Sequence, residues 1–235
     1  MLFRSDVLTS CPADDVNEDR GIAVRIAHRI GHPSRRGFSR SGLAAYEQRD
    51  ALEECGQRGS GAAHDRREVV APAGGTVTEA RRGVDDAVYV RAGSGLTYYL
   101  AHLVLEPAVT TGVSVTAGQH LGVTSAFAQA LDFGAFNDSV TLSFVNAARY
   151  PVQTLHADSP LNYFVEPLRS TLYARVTRNS ADKDGRIDFD QVGTLAGNWF
   201  LEGLPVPNSL ASENGVQHLA FARDTAEPGD LRISI

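Results

Sequence analysis

The sequence predicts a mostly β protein. A tightly wound antiparallel sheet (barrel-sandwich-like) is followed by a smaller C-terminal antiparallel β meander. Three observations predict it. Short β-branched runs such as Glu68-Val-Val70 and Thr76-Val-Thr78 are bounded by Gly/Pro turns. Longer apolar runs, Leu96–Leu103 with a histidine inside it and Gln119–Thr124, have strand length. Helix signals are few, the best of them around Pro160.

Composition narrows the function classes. A chain of 235 residues holds one large or two small domains. A formal net charge of -6 argues against nucleic acid as the main partner. Lys183 is the one lysine among 22 basic residues, which reads as a GC-rich coding bias and not as a phosphate-binding device. Cys11 and Cys55 cannot build a disulfide framework. No apolar run reaches the roughly 18 residues a membrane span needs. The start, Met1-Leu-Phe-Arg-Ser-Asp6, has no secretory h-region.

In chain order, residues 1–67 read as a poorly structured or non-native N-terminal segment, with one short helix at 44–55. Eleven arginines, ten acids and turn-rich stretches such as Gly56-Gln-Arg-Gly-Ser-Gly61 leave it without a core. Its texture resembles out-of-frame translation that has replaced a signal peptide. Residues 68–150 form the wound domain. Ala71-Pro-Ala-Gly-Gly75 makes a turn that uses proline's fixed φ and glycine's positive φ. Strands at 76–80, 87–91 and 96–103 follow, joined by hairpin turns at Gly83-Val-Asp-Asp86 and Gly93-Ser-Gly95. Strands at 119–124 and 130–136 complete the domain.

Residues 151–170 are a helical connector, with Ser159 as N-cap, Pro160 at the first helical position and Pro167 as a kink. Residues 171–235 are the meander, with strands at 171–177, 185–190, 194–202, 217–223 and 231–235. Its end on Arg232-Ile-Ser-Ile235 reads as a truncation.

The turn Ala71-Pro-Ala-Gly-Gly-Thr-Val77, the Tyr98-Tyr-Leu-Ala-His-Leu103 strand and Val115-Thr-Ala-Gly-Gln-His-Leu-Gly122 together resemble the lysostaphin-type (M23) zinc peptidases. The resemblance covers about a third of the chain. It implies a winding sheet, a zinc ion and a peptidoglycan substrate. By that resemblance His102 takes the place of the strand histidine, a catalytic base or stabiliser. Asp132, in Ala130-Leu-Asp-Phe133, takes a metal-ligand histidine's place, and Ala130 the other catalytic histidine's. His64 and Glu68 have the spacing of the family's His-x-x-x-Asp ligand pair, with Glu for Asp. Zinc accepts carboxylate oxygen, so Asp132 is tolerable chemistry. An alanine at 130 removes a group worth roughly 10²–10⁴ in rate.

Each residue also has a plainer reading. His102 is then a hydrogen-bonded strand histidine, Asp132 a strand-end carboxylate, and Glu68 a solvent-facing strand residue. The Ala-Pro-x-Gly texture is shared with biotinyl and lipoyl carriers, which need a hairpin lysine. Lys183 lies far downstream, so covalent carriage is excluded. Asp182-Lys-Asp-Gly-Arg-Ile-Asp188 has calcium-loop spacing, but Gln191 stands where the bidentate glutamate belongs, so a hairpin turn is the better reading. Trp199 reads as a core plug, with a sugar-stacking platform formed with Phe200 as its alternative.

The expected function is a degenerate module of a bacterial envelope protein, binding or structural more than hydrolytic. Its partner would be peptidoglycan or an envelope protein, with no zinc required. It would be periplasmic or extracellular if a signal peptide was lost. The alternative is a zinc-dependent endopeptidase with an altered ligand set.

Overall fold

The computed structural model describes residues 66–93, 95–126, 131–203, 218–224 and 227–234, and the backbone of 24–26. The chain forms two compact units. The first joins Met1–Ile26, Ala51–Phe133 and Pro160–Val176; the second joins Ala27–Asp50, Gly134–Ser159 and Thr177–Ile235. Among the described residues no helix is long and apolar enough to cross a membrane.

The first unit is built on a curled sheet. Its strands are β1 (Val24–Ile26), β2 (Glu68–Val70), β3 (Gly75–Arg81), β4 (Asp86–Arg91), β5 (Leu96–Leu105), β6 (Ser114–Val115), β7 (His120–Thr124) and β8 (Leu131–Asn137), the last running on into the second unit. The sheet order is β1-β8-β5-β4-β3-β6, with β7 on β5 and β2 on β7. Strand β5 is the spine. One edge takes β4 through Thr97–Leu103, and the other takes β8 and, from Leu103 to Leu105, β7. Tyr98, Tyr99, Leu100 and Ala101, consecutive along it and so on both of its faces, are all buried.

The strand readings at 76–80, 87–91, 96–103, 119–124 and 130–136 agree with β3, β4, β5, β7 and β8. Strand β1 is an addition within the segment read as unstructured. It pairs in parallel with β8, Val24 opposite Leu131 and Ile26 opposite Phe133, a partnership over 100 residues away that local composition cannot show. The helix expected at 44–55 lies outside the described residues.

Two glycine motifs hold the winding tight. Ala71 N–H donates to Gln119 O (2.9 Å) and Gly118 N–H to Ala71 O (2.8 Å), so the Ala-Pro turn and the Ala-Gly-Gln turn are bonded to each other. The Tyr98 hydroxyl donates to Ala73 O at 2.8 Å and pins the same turn. A Cβ at Gly75 would stand 2.3 Å from Arg91 O, and one at Gly122 would stand 2.2 Å from Val104 O. Phe133 packs edge-on between Tyr98 and Phe164, at 6.5 and 6.0 Å.

Beyond β8 the chain departs from expectation. The helix begun at Pro160 is a single 3-10 turn, Pro160–Tyr163. The stretch at 171–177, read as a strand, lies mostly in the helix α2 (Leu168–Ala174) after a one-turn α1 (Val152–Leu155). Its cause is local. The Glu166 carboxylate accepts the Ser170 N–H (3.1 Å) and hydroxyl (2.6 Å), satisfying donors of the first turn. Pro167 starts this helix instead of kinking it.

In the second unit, β9 (Ala157–Asp158) pairs with β8 at Ala135 and Phe136. Residues 185–190 make no strand. Their carboxylates bond instead: Asp188 Oδ2 accepts Ser143 N–H (3.0 Å) and Asp190 Oδ2 accepts Val145 N–H (3.0 Å). A separate three-stranded antiparallel sheet follows, β10 (Gly197–Phe200), β11 (His218–Arg223) and β12 (Leu231–Ser234).

Trp199 is not a core plug, for it is 46% exposed and its indole N–H donates to Leu195 O at 2.9 Å. Phe200, on the other face of β10, packs on Tyr150 with ring centroids 5.2 Å apart.

Gly75→Ala and Gly122→Ala should each lower the unfolding free energy by about 1–3 kcal/mol through overpacking, read as a fall in the urea midpoint. An unshifted midpoint would show that the strands do not approach as closely as described.

Candidate functional site

The site grows from an irregularity in the β4–β5 hairpin. Counting outward from the Gly93–Gly95 turn, Arg91 faces Thr97 and Ala87 faces Ala101; the next rung pairs Asp86 with Leu103 and skips His102. His102 is therefore the extra residue of a β-bulge, a feature that re-aims a side chain. Its φ of 69° places it in the left-handed region, which a residue with a Cβ occupies at a cost of about 1–2 kcal/mol. Its carbonyl still accepts Ser125 N–H at 2.8 Å.

The β3–β4 turn compensates that strain. Buried Asp86 accepts the N–H of Gly83 (2.9 Å) and, across the bulge, that of Leu105 (2.9 Å). Arg82 donates to the carbonyls of Leu105 (2.6 Å), Glu106 (2.6 Å) and Val109 (2.8 Å). The turn is thereby locked to the end of β5, and Asp85 is delivered to the histidine ring.

Both ring nitrogens meet carboxylates. His102 Nδ1 bonds Asp85 Oδ2, and Nε2 lies 3.2 Å from Asp132 Oδ2, supplied by β8. The His102 and Asp132 side chains are 14% and 12% exposed, so solvent screens the pair little. Burial opposes a charge on the ring and is the largest effect. The hydrogen bond and charge of Asp132, then those of Asp85, outweigh it and raise the His102 pKa. A neutral ring has a single N–H and would turn a lone pair toward one carboxylate; the imidazolium satisfies both. Asp85 Oδ1 is buried and has no hydrogen-bond partner among the described residues.

Of the residues singled out in the sequence, His102 and Asp132 are brought together. Glu68 is exposed at the start of β2, opposite Val123. His64 and Ala130 lie outside the described residues. Asp132 turns its Oδ2 toward the imidazole, and among the described residues no three His, Cys, Asp or Glu side chains could hold a metal ion. Asp85, read as part of a hairpin turn, was missed. Hairpin counting points to its neighbour instead, because an unbulged β4–β5 pair sets Asp86 opposite His102, and only the bulge brings the ring to Asp85.

No known protein-family profile matches the chain. No curated protein matches it either. Among solved structures it is similar to a chain in the "SpoIIQ-SpoIIIAH pore forming complex", at 21% identity and a TM-score of 0.31, over 45% of this chain and 61% of that one. It is also similar to Helicobacter pylori Csd3, at 16% identity and a TM-score of 0.31, over 45% of this chain and 27% of that one. The matches span less than two thirds of either protein and assign no activity to this chain. Fold and site together define a mostly β protein with a histidine held between two carboxylates at a bulge in its central strand.

The sign of the pH effect follows from the raised pKa. Stability from the charged ring is complete below the unfolded value of about 6.5 and is lost as pH rises through the higher folded value. Urea unfolding across that interval should show the loss in the native protein. His102→Asn, which keeps a side chain tolerant of left-handed backbone, should flatten it.

Proposed function

We propose that the chain is a binding module of a bacterial envelope protein, built on a degenerate lysostaphin-type scaffold and not strongly hydrolytic. The observation that carries this reading is the double engagement of His102. A general base needs a free lone pair aimed at the proton it abstracts, and a metal ligand needs a free nitrogen. Here one nitrogen bonds Asp85 and the other faces Asp132. The same contacts serve a structural purpose well, tying β5 to the β3–β4 turn and to β8. The alanine at 130 in the sequence supports the reading from a second direction.

In this proposal the ligand is peptidoglycan or a protein of the envelope, zinc is not required, and the location is periplasmic or extracellular. Purified protein incubated with intact peptidoglycan sacculi should co-sediment with them in the presence of a chelator and release no soluble peptide fragments.

The second reading is a zinc-dependent peptidoglycan endopeptidase with an altered ligand set. The 3.2 Å approach of His102 to Asp132 and the unbonded Asp85 Oδ1 favour it, since both mark a polar cluster able to rearrange around a cation. Fragment release that needs zinc and disappears in His102→Ala would establish this reading and end the first.

A further inference from the structure

Arg178 is 2% exposed and is the largest fully buried side chain among the described residues. A guanidinium is seldom buried unless its donors are met. Main-chain oxygens are among the acceptors here: Nη1 donates to Lys183 O at 2.7 Å and to Asp182 O at 3.3 Å. In return the Lys183 ammonium donates to Arg178 O. Each of the two residues thus holds the other's carbonyl, and the exchange closes the chain over 178–183.

The closed segment leads into the run with calcium-loop spacing, and the local geometry of such a loop is present. Ser180 Oγ accepts the Asp182 N–H at 3.1 Å, and Asp182 Oδ1 accepts the Asp184 N–H at 3.0 Å. Gly185, sixth in that count, turns the chain at a φ of 81°. Ile187, just beyond the turn, is buried. In a calcium loop the ion gathers the oxygens that give this shape. In this chain two side-chain cations gather the carbonyls, and carboxylate oxygens further along are engaged elsewhere. Arg186 Nε donates to Asp188 Oδ1 at 2.9 Å, and Asp190 accepts the N–H groups of Asn198 and Val145, each at 3.0 Å.

We propose that Arg178 and Lys183 are a reciprocal clamp. It folds this loop with the chain's own charge, in the role an ion plays in calcium loops, and so positions Asp188 and Asp190 for Ser143 and Val145. The charges allow it, since residues 178–190 hold three bases against four acids. Arginine suits the part, because its planar fork is organised before it bonds. Fixing the loop ahead of the two rungs lowers the conformational entropy that forming them costs. Asn179 adds an anchor, its Nδ2 donating to Glu227 Oε1 at 2.6 Å.

Lys183 is the one lysine in the chain, so amine acylation followed by peptide mass spectrometry reads the clamp directly. In the native chain Lys183 should be acylated at the same slow rate in millimolar calcium and in chelator. Arg178→Met should raise that rate at least about tenfold, and speed hydrogen exchange at the Ser143 and Val145 amides by a similar factor. The amides of β4 and β5, in the other unit, should exchange as before.

Calcium that slows Lys183 acylation, or the exchange of either amide, in the native chain would assign the loop to an ion and overturn the proposal. So would an Arg178→Met chain with native rates at all three positions. If Arg178→Met unfolds the second unit, Lys183→Met decides, because it removes only the returning bond. It should speed exchange at Ser143 and Val145, and unchanged exchange there would also overturn the clamp.

Discussion

The site depends on one backbone constraint: β5 cannot remain regular where it passes from one set of neighbours to another. Its far edge takes β8, then β7, while its near edge follows β4 as far as Leu103. The strand absorbs the change with one extra residue at His102, held at a φ of 69°. Left-handed backbone at a residue with a Cβ persists only when its surroundings over-determine it. Asp86 and Arg82 do this by fastening the neighbouring turn to Leu105, Glu106 and Val109. The imidazole is then aimed by the bulge and not by the pleat. That is why it reaches carboxylates from two different elements at once.

The charge arrangement follows from that aim. One imidazolium between two aspartates keeps net negative charge in a region that solvent reaches poorly. It is tolerable because both carboxylates share the same cation. A histidine so placed acts as a cross-link between a turn and two strands.

Much of the first unit was legible in the sequence because its strands are short, β-branched and separated by turns that few other residues can make. The pairing of His102 with Asp132 was legible only through a family resemblance, since the two lie 30 positions apart on strands whose adjacency no local pattern reveals. Asp85 escaped because the bulge breaks the hairpin count just where it matters. Strand β1 escaped because a three-residue parallel strand draws its stability from a distant partner. In the second unit, side-chain bonds replaced backbone pairing. Glu166 capped a helix where alternation suggested a strand, and Trp199 lay outside while the neighbouring Phe200, on the other face, packed on Tyr150.

That substitution of side chains for backbone has its own consequence. Asp188 and Asp190 hold Ser143 and Val145 with the two-residue spacing of a β-ladder, yet each rung is a carboxylate reaching across 45 positions. A ladder of peptide groups survives almost any replacement short of proline, since every residue type carries the same amide. A rung made by one aspartate is written in a single codon. This margin of the second unit is thus one place where drift of the gene directly edits the architecture.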